Sequence, residues 1–157
     1  MQVDEFNSEL LTFLAKATSP FHAVKEMVDR LERAGFQRLS DAQEWQLEAA
    51  GTYYLTRNDS SVIAFKMGNQ SAAEQGIRMV GAHTDSPCLM AKPNPEKRKG
   101  GYQQLGVEVY GGALLNPWFD RDLSMAGRVS YVDQEGTLRK ALVDFRDPVA
   151  VIPSLAI

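Results

Sequence analysis

The chain has 157 residues, 44% of them hydrophobic and 24% charged, with a formal net charge of −3. That composition fits one globular domain or two small ones and excludes a disordered or collagen-like chain. With no basic excess, it predicts no nucleic-acid partner held by bulk charge.

The N-terminal Met1-Gln2-Val3-Asp4-Glu5 is acidic where a secretory signal is basic, and the apolar stretch Leu10–Ala15 is interrupted by Thr12 and too short for one. No apolar run approaches the ~20 residues that cross a bilayer. The single cysteine, Cys88, leaves no intrachain disulfide framework and suits a reducing compartment. The expected location is the cytoplasm, with no membrane partner.

Val3, Phe6, Leu10, Phe13, Leu14 and Ala17 recur at spacings of three and four, which predicts a first helix. Ser19 then offers a cap and Pro20 a first helical residue for a second helix, whose apolar stripe is Phe21, Val24, Met27, Val28, Leu31 and Ala34. Gly35 stands where a left-handed terminal residue is wanted. From Phe36 the period changes. Tyr53–Arg57 and Val62–Lys66 flank Asn58-Asp59-Ser60-Ser61 and predict a hairpin. Gly68–Gly76 reads as a polar loop, and Ile77–His83 as a short strand, buried and parallel, because such strands need not alternate.

The composition shifts after Pro87. Lys92-Pro93-Asn94-Pro95-Glu96-Lys97-Arg98-Lys99-Gly100-Gly101 reads as a connection, and a domain boundary is expected within 87–101. Beyond it the chain reads as β. Leu105, Val107 and Val109 alternate with Gln104, Glu108 and Tyr110, and the turn Asp133-Gln134-Glu135-Gly136 separates a strand through Met125, Val129 and Tyr131 from a return strand over Leu138–Phe145. The chain ends in an apolar segment, Pro148–Ile157, without a polar tail, which suggests a piece of a longer protein.

Gly81-Ala82-His83-Thr84-Asp85-Ser86-Pro87 carries the most chemistry. On an extended chain His83 and Asp85 share a side, a spacing that suits a metal-bound imidazole tuned by a nearby carboxylate. At the carboxyl end of a parallel strand they would face a ligand crevice. Spacing alone favours the plainer reading, a polar strand end with a local hydrogen bond. A catalytic zinc takes about three protein ligands, and the chain holds two histidines, His22 and His83. His22 lies in the first turn of the second helix and reads as a half-buried or capping residue. Cys88 reads as a buried, inert thiol rather than a nucleophile paired with His83. Trp118-Phe119-Asp120-Arg121-Asp122-Leu123 is either an interface anchor or a salt-bridged strand start.

Taken together and in order, Ser19-Pro20-Phe21-His22-Ala23-Val24, Gly81–Pro87, Lys92-Pro93-Asn94, Tyr110-Gly111-Gly112, Trp118–Leu123 with Ala126-Gly127-Arg128-Val129, and Ile152–Ile157 resemble the M18 zinc aminopeptidases (the aspartyl aminopeptidase family), a bacterial member in particular. The resemblance covers essentially the whole chain. It implies an α/β fold: residues 1–87 as the first part of a zinc-exopeptidase α/β sandwich, and residues 88–157 as the start of an inserted β-rich dimerisation domain. It implies a metallo-aminopeptidase with two Zn²⁺ per subunit, releasing N-terminal residues from peptide substrates, acidic ones expected. It also implies assembly as a dimer and then a dodecamer. His83 aligns with the first metal ligand, and Asp85 with the catalytic carboxylate that supports that ligand and its water. The remaining ligands and the general base would lie past Ile157, so this chain alone is expected to be inactive. Two other readings stand beside this one: a non-catalytic oligomerisation module, and a zinc exopeptidase of the same fold with another specificity.

Overall fold

The computed structural model describes residues 3–155. Met1 and Gln2 of the acidic N-terminus, and Ala156 and Ile157 of the apolar ending, lie outside the described residues. The chain divides into two compact units. One runs up to Thr84 and includes Ala126–Asp144; the other comprises Asp85–Met125 and the chain from Phe145 onward.

In the first unit, α1 (Val3–Lys16) has Asp4 and Glu5 in its first turn and Lys16 in its last, each the sign that the helix dipole favours. Helix α2 (Pro20–Arg33) starts as its sequence dictates. Ser19 Oγ accepts the His22 amide at 3.4 Å, and Pro20 occupies the first turn, where no amide donor is needed. It stops at Gly35, whose φ is +83°. The Gly35 amide donates to Glu32 O and the Phe36 amide to Leu31 O, both at 3.0 Å, which closes the last turn in a Schellman arrangement.

Strand β2 (Thr52–Arg57) lies between β1 (Gln37–Arg38), parallel to it, and β3 (Ser61–Lys66), antiparallel with Thr52 opposite Lys66 and Arg57 opposite Ser61. The turn puts Asn58 and Asp59 at φ +51° and +55°, a region that these two residue types tolerate best after glycine. Being central, β2 is buried at Tyr53, Tyr54 and Leu55, and these residues with Ala23 and Val24 of α2 form the core. The Tyr54 hydroxyl donates to the Glu32 carboxylate. Glu26, also buried, meets Arg30 at 3.3 Å and Lys16 at 3.5 Å, as a buried carboxylate requires.

Two sequence expectations change here. Gly68–Gly76 contains a one-turn helix, α3 (Ala72–Gln75). Ile77–His83 is not a strand: it forms no ladder, and Val80 is fully exposed, with Ile77 and Met79 nearly so. A buried parallel strand needs a neighbour on each side to take its amides and carbonyls, and among the described residues none pairs with it.

In the second unit, β4 (Cys88–Lys99) and β5 (Tyr102–Tyr110) form a long antiparallel ladder. The stretch Lys92–Gly101 is therefore strand and turn rather than a connection. The glycines make the turn, with Gly100 and Gly101 at φ +61° and +82° as a two-residue hairpin needs. The prolines fall where the register slips between Ala91 and Glu96, at a bulge, where a missing amide donor is tolerated. Further on, a short 3-10 turn (Asn116–Trp118) leads to Phe119, which bridges to Ile152. Asp120, at φ +54°, receives the Ser154 amide at 2.9 Å and the Ser154 hydroxyl, and its own amide donates to Ile152 O. The Trp118–Leu123 cluster thus ties down the segment around Ser154 through Asp120.

Strands β6 (Leu123–Val132) and β7 (Leu138–Ala150) pair with each other, and the return strand runs five residues beyond the expected Phe145. At their turn Asp133 Oδ1 accepts the Glu135 and Thr137 amides, and Gly136 takes φ +79°. The chain is a mixed α/β structure, as its sequence predicts.

Candidate functional site

His83 ends the exposed segment that follows α3, and its residue surface is open to solvent. The next residue is fixed: Thr84 Oγ1 donates to Ser60 O at 2.7 Å, at the tip of the β2–β3 hairpin. The unit boundary falls between Thr84 and Asp85, so His83 belongs to the first unit and Asp85 to the second.

Asp85 is half-buried, three residues ahead of β4. The ladder brings it a partner. Cys88 pairs with Tyr110 as the last rung, and from that rung Tyr110 reaches back so that its hydroxyl donates to Asp85 Oδ2 at 2.6 Å. The carboxylate in turn holds the Tyr110 phenol above its ordinary range, first through that hydrogen bond and then through charge. Gly111 follows at φ +70°, and a side chain there would lie against Pro87. Sequence reasoning left Tyr110 without a role. The only hint was its place in Tyr110-Gly111-Gly112, because the rung that carries it to Asp85 depends on the bulge.

Cys88 is half-buried rather than fully buried. Burial first, and the nearby Asp85 second, push its thiol pKa up, which disfavours a thiolate nucleophile. His22 is half-buried, and its Nδ1 lies 2.7 Å from the hydroxyl of Ser19, the residue that caps α2. A cavity of about 260 Å³ in the first unit, lined by Phe21, Val24, Val28, Arg38 and Leu142 among others, includes neither His83 nor Asp85. Arg128 is among its lining residues, stacked 4.0 Å over the Phe21 ring and donating to Asn58 O at 2.6 Å.

The donor types suit zinc, an imidazole with a carboxylate two residues on. Among the described residues, however, no three His, Cys, Asp or Glu side chains come together to hold a metal. The chain offers part of a donor set, and no catalytic step follows from it alone.

Comparison with known proteins decides the family. The model of the aminopeptidase I zinc metalloproteases (M18) matches residues 13–157. This chain belongs to the M18 family. It is 58% identical to the probable M18 family aminopeptidase 2 of Pseudomonas putida over 154 residues, 98% of this chain and 36% of that protein. Among solved structures it resembles Chaetomium thermophilum mApe1, with a TM-score of 0.91 and 39% identity over 99% of this chain and 36% of that one. It also resembles the S. cerevisiae mApe1 dodecamer, with a TM-score of 0.86 and 34% identity over 94% of this chain and 35% of that one. The chain thus spans about a third of the length of the M18 relatives it matches. No described helix of this M18 chain is long and apolar enough to cross a membrane.

Proposed function

We propose that this chain acts as part of a metal-dependent aminopeptidase that releases N-terminal residues from peptides. The observation that carries the reading is the family match across residues 13–157, joined to 58% identity with a protein named as an aminopeptidase. In this proposal the intact enzyme holds two Zn²⁺ per subunit, prefers acidic N-terminal residues and works in the cytoplasm. His83 is one of its metal ligands, and Asp85 is the carboxylate that orients the imidazole. The bound metal would polarise the scissile carbonyl and supply hydroxide at neutral pH. What this chain contributes is an exposed imidazole next to an anchored Thr84, and a carboxylate already oriented by a neutral donor. Residues 1–87 are assigned to the proteolytic domain and 88–157 to an inserted dimerisation domain. Association into homo-oligomers follows the dodecamer of the yeast relative.

Two measurements test this. His83→Ala in the full-length protein is expected to lose bound zinc and peptidase activity together; unchanged zinc content would refute the ligand assignment. The 157-residue chain with added Zn²⁺ is expected not to hydrolyse amides of Asp or Glu, since among its described residues no three metal donors come together. A panel of amino-acid amides on the full-length protein tests the acidic preference.

A further inference from the structure

We infer that Tyr110 is the positioning residue for Asp85: through its hydroxyl it sets the direction in which that carboxylate presents its second oxygen. The inference rests on the proposed role of Asp85 beside His83, and adds a residue to which that reading gives no part.

Four observations carry it. The contact is direct and short, 2.6 Å from the Tyr110 hydroxyl to Asp85 Oδ2, in the range of a hydroxyl bonded to an ionised carboxylate. The backbone that makes it is well defined: Tyr110 is paired with Cys88 on the last rung of β4–β5, and Asp85 stands three residues before Cys88 on the same chain. Both residues lie in the second unit, so the geometry is internal to one compact body. The chain turns away immediately after Tyr110 through Gly111 at φ +70°, which leaves the tyrosine at the end of its strand rather than within it.

The chemistry of the donor matters. A lysine or arginine at this place would fix the carboxylate by neutralising it, and would weaken its attraction for an imidazole. A phenol fixes one oxygen while the carboxylate keeps its charge. A phenol is protonated at neutral pH and so acts as a donor to the carboxylate. Partners that orient a ligand's supporting group typically change metal affinity or activity about 10–100-fold when removed. Removing a single hydroxyl from a half-exposed tyrosine leaves its ring and the ladder in place.

The experiment is a double-mutant cycle in the full-length enzyme with Tyr110→Phe and Asp85→Asn, read both as zinc affinity by chelator competition and as kcat and KM on an N-terminal Asp or Glu amide. Tyr110→Phe is expected to lower kcat or zinc affinity about 10-fold or more with KM and the thermal midpoint little changed, and to add nothing in the Asp85→Asn background. If Tyr110→Phe stays within twofold of the parent in both zinc affinity and kcat while Asp85→Asn loses activity, the positioning role is overturned and the proposed function stands. Fully independent effects of the two substitutions overturn it as well. If Asp85→Asn and His83→Ala both leave zinc and activity unchanged, the reading beneath it falls too.

Discussion

The two units of this chain are held together in different ways. In the first, a helix with a capped start and a glycine stop buries Ala23 and Val24, and Tyr53, Tyr54 and Leu55 of the central strand disappear from solvent. In the second, the β4–β5 ladder keeps Met90, Leu105, Val107 and Val109 in contact with water, and none of the unit's described residues is fully buried. Its order comes from backbone pairing, a glycine turn, and side-chain clamps such as Asp120 on Ser154 and Tyr110 on Asp85. A two-stranded ribbon with an apolar face is marginal by itself. The lesson is that regular strands and a core are separate achievements: alternation writes an apolar face, and only a partner buries it.

That contrast can be broken at its strongest point first. Tyr54→Ala removes the most deeply buried side chain of the first unit together with its bond to Glu32. It is expected to cost about 3–5 kcal/mol, the range for buried aromatics, in urea unfolding. Ser19→Ala removes a cap rather than a core residue and leaves His22 without its hydroxyl neighbour. It is expected to cost about 1 kcal/mol, measured the same way. The smallest effect belongs to the second unit. Ser154 holds the Asp120 carboxyl below its ordinary range, by hydroxyl and amide donation. A depressed carboxyl stabilises its bonds above the unfolded pKa and loses them as pH falls through the folded one. The Ser154 amide resonance should therefore move on acidification, with a midpoint below that of an ordinary aspartate. Asp120→Ala should abolish that titration while leaving the stability of the first unit unchanged. A large loss of global stability from Asp120→Ala would mean that the clamp, and not the α2–β2 core, governs the chain.

Set against the sequence, the structure sorts its features by range. The cap at Ser19, the stop at Gly35, the hairpin over Asn58–Ser60 and the turn at Asp133 were all legible, because each is settled by residues within about five positions of one another. The fate of Ile77–His83 was not. Its apolar centre is the same in a buried strand and in an exposed segment, and the choice rests on whether other strands flank it. The prolines of Lys92–Gly101 pointed to a connection because their missing amides argue against a ladder, yet a bulge absorbs them. At the candidate site, His83 and Asp85 could be picked from their spacing and from the ordered motifs, whereas Tyr110 could not.

The sequence by itself determined which residues start and stop the helices, where the chain turns, and to which family the ordered motifs belong. Those depend on local backbone preference and on a pattern carried along the chain. Only the tertiary structure decided which apolar faces are covered and which phenol meets Asp85. Burial needs a second surface, and the rung that brings Tyr110 to Asp85 is counted across a register slip that leaves no mark in the spacing of residues.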